Sequence, residues 1–151
     1  MLKKYFKYFL LFVFLVAIDQ YIKYIFVNGF YAKGECISLV LAYNKGVAFS
    51  MFAFLASYLK YIQIFILLGG IIYLIINNDI LKTYILPITL ILAGGISNIF
   101  DRFIREGVVD YVYWHCGFDF AIFNLADVII DISIALILYI SYKQDKQKKT
   151  S

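Results

Sequence analysis

Apolar residues in this chain come in long, nearly unbroken runs rather than at the spacing of a half-buried helix or strand. Four runs stand out, at about Tyr5–Val27, Ser57–Ile76, Tyr84–Phe103 and Phe120–Tyr142. Each is close to the roughly 20 residues a helix needs to cross the hydrocarbon core of a bilayer. The pattern predicts an all-α membrane protein with four transmembrane helices and two outer loops, over 28–56 and 104–119. Inside those loops, Ile37–Tyr43 and Val108–Trp114 are short, rich in strand-forming residues and bounded by turn signals such as Asn44-Lys45-Gly46. They predict a small extracytoplasmic β-rich platform. Ser50–Ala56 reads as a short interfacial helix, and 1–151 as a single domain with no linker.

Composition agrees. Of 151 residues, 64% are hydrophobic and 20% aromatic, against about 45–50% apolar in a soluble domain. Mean hydropathy is +0.84. The net charge of +4 matters only through its placement. Lys3, Lys4 and Lys7 precede the first run, Asp79 and Lys82 lie between the second and third, and Lys143, Lys146, Lys148 and Lys149 follow the fourth. Four spans put those regions on one side, and the positive-inside rule makes it cytoplasmic, with both termini. The opposing loops carry Lys33, Lys45 and Arg105. The lysine-rich tail suits a solvated end near anionic lipid, and no nucleic-acid-binding patch is indicated. The N-terminus begins like a signal peptide, but Ile18-Asp19-Gln20 offers no small-residue cleavage site, so the first run reads as an uncleaved span. Cys36 and Cys116 do not make a framework, and two unrelated thiols are expected.

The polar residues within the runs are one-sided. Asp19 and Lys23 end the first, Lys60 begins the second, Asn98, Asp101 and Arg102 close the third, and Asn124 and Asp127 open the fourth. All belong to the outer half. Ionisable groups in a span are costly and face a bundle interior or a wet cavity. A channel or ion relay would need them at several depths, so the pattern describes a chamber near the outer surface. Gly95, Asn98 and Arg102 share a helix face, and Gly94 with Gly95 permits close helix approach. Asp19 and Lys23, at i and i+4, form a same-face ion pair.

Most acidic residues here read as structural, Asp101 beside Arg102 and Asp19 near Lys23 among them. Asp127 differs, because nothing basic lies within a turn of it on its own helix. Asp110 lies in the loop that feeds that helix. Two carboxylates held close together where water is scarce cannot both ionise easily, so one keeps a proton. The charged member can take a proton from an attacking water while the neutral one donates to a peptide carbonyl. Asp131, one turn deeper than Asp127, is an alternative partner from spacing alone. Ser57-Tyr58-Leu59-Lys60 matches Ser-x-x-Lys by chance, since the accompanying motifs are missing. His115-Cys116 lacks the further ligands a zinc site needs.

The chain resembles the lipoprotein signal peptidase (bacterial signal peptidase II) family along essentially its whole length. The motifs occur in order: Asp19-Gln20-Tyr21-Ile22-Lys23, Asn44-Lys45-Gly46-Val47-Ala48-Phe49, Gly94-Gly95-Ile96-Ser97-Asn98-Ile99-Phe100-Asp101-Arg102, Val108-Val109-Asp110-Tyr111 and Phe120-Ala121-Ile122-Phe123-Asn124-Leu125-Ala126-Asp127. The resemblance implies an aspartic endopeptidase of the bacterial cytoplasmic membrane that removes signal peptides from prolipoproteins just before a diacylglyceryl-bearing cysteine. It implies Asp110 and Asp127 as catalytic, Asn44, Gly46, Asn98, Arg102 and Asn124 as site support or substrate contacts, and Asp19 and Lys23 as a polar pair shaping the chamber. It further implies no metal or organic cofactor and inhibition by globomycin-type cyclic peptides, with membrane lipids as surroundings; nothing in the sequence demands more than a monomer. Asp131 departs from the family pattern, and its charge near the pair would move the pH optimum upward. Two rivals remain: a small transporter or proton relay, and a non-catalytic lipid-binding scaffold.

Overall fold

The computed structural model describes residues 2–46, 53–105 and 107–150. Its helices are α1 (Leu2–Val27), α2 (Ala56–Ile76), α3 (Asn78–Thr83), α4 (Ile85–Ile104) and α5 (Leu125–Thr150), with strands β1 (Ile37–Asn44) and β2 (Val108–Trp114). Of these, α1, α2, α4 and α5 are long and apolar enough to cross a membrane. Their outward faces carry Phe9, Phe14, Phe65, Ile66, Ile76 and Leu138, all exposed, as expected of helices whose solvent is lipid.

The third span, α4, is the hub. It packs against α1, α5 and α2, and it is the most buried of the four, whereas α2 is the least. Its sequence explains this. Ala93, Gly94 and Ser97 make a face of small buried residues, and helix pairs in membranes approach where such residues let backbones touch. A Cβ on Gly94 would lie 2.6 Å from the Ala126 carbonyl oxygen and 2.8 Å from Ile130 Cγ1. At Gly95 the nearest atoms would be the Leu67 methyls at 3.8 Å, ordinary contact. Gly94 therefore sets the α4–α5 distance. Lower in the bundle the buried hydroxyls are tied to backbone, Thr89 donating to the Ile85 carbonyl and Ser133 to that of Pro87.

The sheet sits where α1 and α4 end and α2 and α5 begin. The strands pair antiparallel from Ile37 opposite Trp114 to Asn44 opposite Val108, with one extra residue in β1 between Leu39 and Ala42. Such a bulge lets side chains on either side of it keep the faces they need. Phe123 adds a bridge to Val112 through paired backbone bonds. Phe26 of α1 stacks on Tyr111 of β2 with ring centroids 4.5 Å apart, seating the sheet on the bundle.

Several sequence expectations need correction. The fourth span begins at Leu125 rather than Phe120, because Phe120 and Phe123 bond to β2 instead of starting a helix. The connection between α2 and α4 folds as the short helix α3, with an exposed Asp79–Lys82 ion pair one turn apart along it. Cys36 and Cys116 are joined as a disulfide rather than left as separate thiols, since strand pairing brings the start of β1 beside the end of β2. Of the interfacial helix at Ser50–Ala56, residues 50–52 lie outside the described residues, and Ala53–Leu55 form a single 3-10 turn leading into α2. The motif residues Val47, Ala48 and Phe49 also lie outside them.

The contrast between the two glycines is testable. Gly94→Ala should destabilise the protein by about 1–3 kcal/mol, the usual cost of overpacking, and Gly95→Ala should be near neutral. Thermal unfolding of the two variants in detergent measures the difference.

Candidate active site

At the sheet end of the bundle, α1 supplies the deepest charge. Lys23 is fully buried, and its ammonium has three N–H groups to place. They go to Asp19 Oδ2 at 2.7 Å, Asp101 Oδ2 at 2.8 Å and Asn98 Oδ1 at 2.8 Å. The expected Asp19–Lys23 ion pair is present, but Asp101 serves Lys23 and Arg105 rather than its neighbour Arg102. The carboxylates are spoken for in turn. Asp19 also accepts from the Ser97 hydroxyl at 2.6 Å and from the Ala126 N–H at 3.0 Å. Asp101 accepts from Gln20 at 3.0 Å, from Arg105, and from the Val109 N–H at 3.2 Å. Four elements, α1, α4, β2 and α5, are thereby held to one charge cluster.

Helix α5 starts against this cluster. The first-turn N–H groups of a helix have no partner of their own, and here side chains take them. Leu125 N–H donates to the Tyr111 hydroxyl at 3.0 Å, Ala126 N–H to Asp19, and Asp127 N–H to Asn124 Oδ1 at 2.9 Å. In return Asp127 Oδ2 accepts the Asn124 N–H at 3.1 Å. This reciprocal exchange is a capping box built from Asn and Asp. It fixes the carboxyl of Asp127 by the geometry of the helix start.

The two aspartates of interest face one another's partners. Asp127 Oδ1 accepts from Asn98 Nδ2 at 2.9 Å. Asp110, buried in β2, accepts from Asn124 Nδ2 at 2.7 Å on one oxygen and from Asn44 Nδ2 at 3.1 Å on the other. Asn44 is oriented in turn by the Gly46 N–H at 3.0 Å. Each carboxyl therefore holds amide hydrogen bonds on both oxygens, and neither forms an ion pair among the described residues. Burial, reinforced by the nearby charge of Asp127, pushes Asp110 up from 3.8 to about 6. Burial also raises Tyr111, keeping it a neutral phenol.

Asp110 and Asp127 open onto a cavity of about 440 Å³, lined also by Asn44, Asn98, Arg102, Asp131 and Gln63 and by the segment Phe120-Ala121-Ile122-Phe123. Arg102 donates to the carbonyls of Gly46 at 2.5 Å and Asn98 at 3.3 Å, tying the β1 turn to α4. Asp19 and Lys23 stand behind the wall rather than on it. Asp131 borders the cavity but is exposed, and Asp127's carboxyl is held by Asn98 and Asn124 instead. Lys60 places its ammonium 5.0 Å from the Phe103 ring centre, so it does not serve Ser57. His115 bonds Ser38 at 2.9 Å, and Cys116 is in the disulfide.

Residues 11–143 match the family described as signal peptidase (SPase) II. The chain belongs to the signal peptidase II family. It is 54% identical over 125 residues to the lipoprotein signal peptidase of a Sulfurovum species, covering 83% of this chain and 85% of that one. The lipoprotein signal peptidase of Wolinella succinogenes is 53% identical over 136 residues, covering 90% and 93%. That of Helicobacter pylori is 45% identical over 141 residues, covering 91% and 90%. A solved structure described as a bacterial membrane enzyme, determined in meso at 2.3 Å resolution, superposes with a TM-score of 0.81 at 27% identity. It covers 96% of this chain and 93% of its own. A second, at 1.9 Å resolution, gives 0.74 at the same identity over 88% and 90%.

In this member of the signal peptidase II family, several residues at the site carry no obvious sequence signal. Ser97, Gln20 and Tyr111 act by holding other residues in place, a role that spacing does not show. Gln63 did have a signal, as the single amide side chain in the apolar run of α2. Removing one partner of a buried ion pair strands the others and costs about 3–5 kcal/mol. Lys23→Met should therefore leave Asp19 and Asp101 without their shared counter-charge. The expected result is a large fall in thermal midpoint and in recovered monodisperse protein, measured by unfolding and size exclusion in detergent.

Proposed function

We propose that this peptidase is an aspartic endopeptidase that cuts the signal peptide from diacylglyceryl-modified prolipoproteins just before the lipidated cysteine, with Asp110 and Asp127 activating water. The observation that carries the reading is the pair of carboxyls on one cavity wall, each held on both oxygens by amides and neither in an ion pair among the described residues. One member keeps a proton and the other accepts one from the attacking water, whose oxygen bonds to the peptide carbonyl carbon. The protonated member donates to the carbonyl oxygen. When the tetrahedral intermediate collapses, the C–N bond breaks and the leaving amine takes a proton from the pair. Asn44, Asn98 and Asn124 orient the carboxyls, Gly46 and Arg102 hold the turn beside them, and Asp19 with Lys23 anchors Asn98.

The site lies at the bundle end opposite the lysine-rich termini. By the positive-inside rule, both termini are cytoplasmic, the β-rich platform is extracytoplasmic, and the cavity sits near the outer face of the bacterial cytoplasmic (inner) membrane. A substrate with acyl chains in the outer leaflet would reach it laterally. The protein acts as a monomer forming a single domain over 1–151, and globomycin-type inhibitors would occupy the same cavity. A proton relay is the weaker reading. Among the described residues, the buried ionisable groups gather at this one end, with only Thr89 and Ser133 as buried polar side chains deeper down.

Cleavage of a diacylglyceryl-modified prolipoprotein by purified protein tests the reading. Asp110→Asn and Asp127→Asn should each lose roughly 10³-fold or more in kcat/KM, while Asp145→Asn, exposed near the far end of α5, should match wild type. A folded wild type that cuts nothing would leave the scaffold as the better account.

The pH profile follows from Asp110. Its carboxyl holds a proton below about 6, and a pair that needs one proton loses its working form as pH rises through that value. The profile of kcat/KM should fall above about pH 6. That of kcat should fall at a higher pH, because bound substrate excludes water and disfavours the second charge further. If the charge of Asp131 reaches the pair, Asp131→Asn should move both falls to lower pH, and an unchanged profile would dispose of that coupling.

A further inference from the structure

A peptide bond cannot be hydrolysed while it lies within a helix, because its carbonyl is bonded into the ladder and enclosed by adjacent turns. A substrate whose signal segment crosses the bilayer as a helix must therefore unwind before the scissile bond. Each residue that unwinds frees a backbone N–H and C=O. In water those groups find partners at once, but at hydrocarbon depth an unpaired one is costly. A membrane protease of this kind needs polar groups of its own at the level where the substrate helix stops.

Gln63 has the required position and an open valence. It is the single amide side chain of α2, in a helix otherwise built of apolar and aromatic residues below Lys60. It borders the same cavity as Asp110, Asp127 and Asp131. Its Oε1 is closed off from solvent and has no hydrogen-bond partner among the described residues. Buried polar atoms are nearly always bonded, so an exception calls for a reason. Ala56 to Gln63 is seven positions into α2, and Leu125 to Asp131 is six into α5. Gln63 and Asp131 thus lie at a similar depth from the same bundle end, about one helical turn, roughly 6 Å, below Asp127. An extended chain covers about 3.3 Å per residue. That level corresponds to about two residues before the cut.

We propose that Gln63 pairs with the main chain of the signal segment about two residues before the scissile bond, capping the point at which the substrate helix ends. Its Oε1 accepts the freed N–H, and Asp131 supplies a further acceptor at the same depth. An acceptor without a donor fits a peptide better than a lipid, because the diacylglyceryl esters offer acceptors only. Main-chain pairing is also indifferent to side chains, so it serves signal peptides of differing sequence. The inference rests on the protease reading.

The test uses two synthetic diacylglyceryl-modified substrates, one all-amide and one in which an ester oxygen replaces the N–H of the second residue before the cut. Wild type should cut the ester substrate about tenfold less efficiently, the effect of one lost buried hydrogen bond. Gln63→Leu, which suits a lipid-facing helix, should lose about tenfold on the amide substrate and nothing further on the ester. Equal cutting of both substrates by wild type would overturn the inference while leaving the protease reading intact, and it needs no variant. Losses from the ester and from Gln63→Leu that multiply would also overturn it. A wild type that cuts neither substrate would remove the protease reading, and this inference with it.

Discussion

The Lys23 ammonium is the constraint on which the rest of the structure depends. An ammonium shut off from water survives only if each of its hydrogens meets an acceptor and its charge is answered nearby. Asp19, Asp101 and Asn98 meet that demand from two helices. Because those acceptors are themselves shared with Ser97, Ala126 N–H and Val109 N–H, satisfying one cation aligns α1, α4, the start of α5 and the start of β2. Lipid cannot do this work, since it is as apolar as the side chains it meets. The polar cluster supplies the directionality that hydrophobic burial lacks in a bilayer.

From that anchor the arrangement runs outward to the carboxyls of Asp110 and Asp127 through amides alone. Asn98 takes a hydrogen from Lys23 on its oxygen and gives one to Asp127 through its nitrogen. Asn124 does the same kind of service for Asp110 while capping α5. Amides can fix a carboxyl in place without answering its charge, whereas a direct lysine or arginine contact would hold it permanently ionised. The Lys23 cation is thus kept at least one residue away from both carboxyls, which meet amides in place of a counter-charge.

The spans were legible because lipid imposes a length and a composition that no other context does. Both strands were found within one residue, as turn signals and β-branched runs bounded them. The start of α5 was misjudged by five residues, since Phe120 to Phe123 is as apolar as a span. Hydropathy does not report that their backbone bonds to β2. What fixes the boundary is Asn124 with Asp127, a cap that can be read at i and i+3 once its box form is considered. Asp101 was assigned to its neighbour Arg102 because adjacent residues are easy to pair on paper. On a helix, adjacent side chains diverge by about 100°, and the partner came from α1. The Cys36–Cys116 link was missed for a similar reason, because the strand register that brings the two together is a tertiary fact.

Asn124 and Asp127 carry two duties at once: together they begin α5, while Asp127 faces the cavity and Asn124 holds Asp110 on its wall. Any change there is penalised as a loss of helix start and again as a loss of the cavity carboxyl or its orientation. Asp110 and Asn98 are bound into the same web. A compound whose contacts were confined to these side chains would meet a surface with few escape routes, because an altered allele would have to rebuild a helix terminus and the carboxyls it positions in a single step.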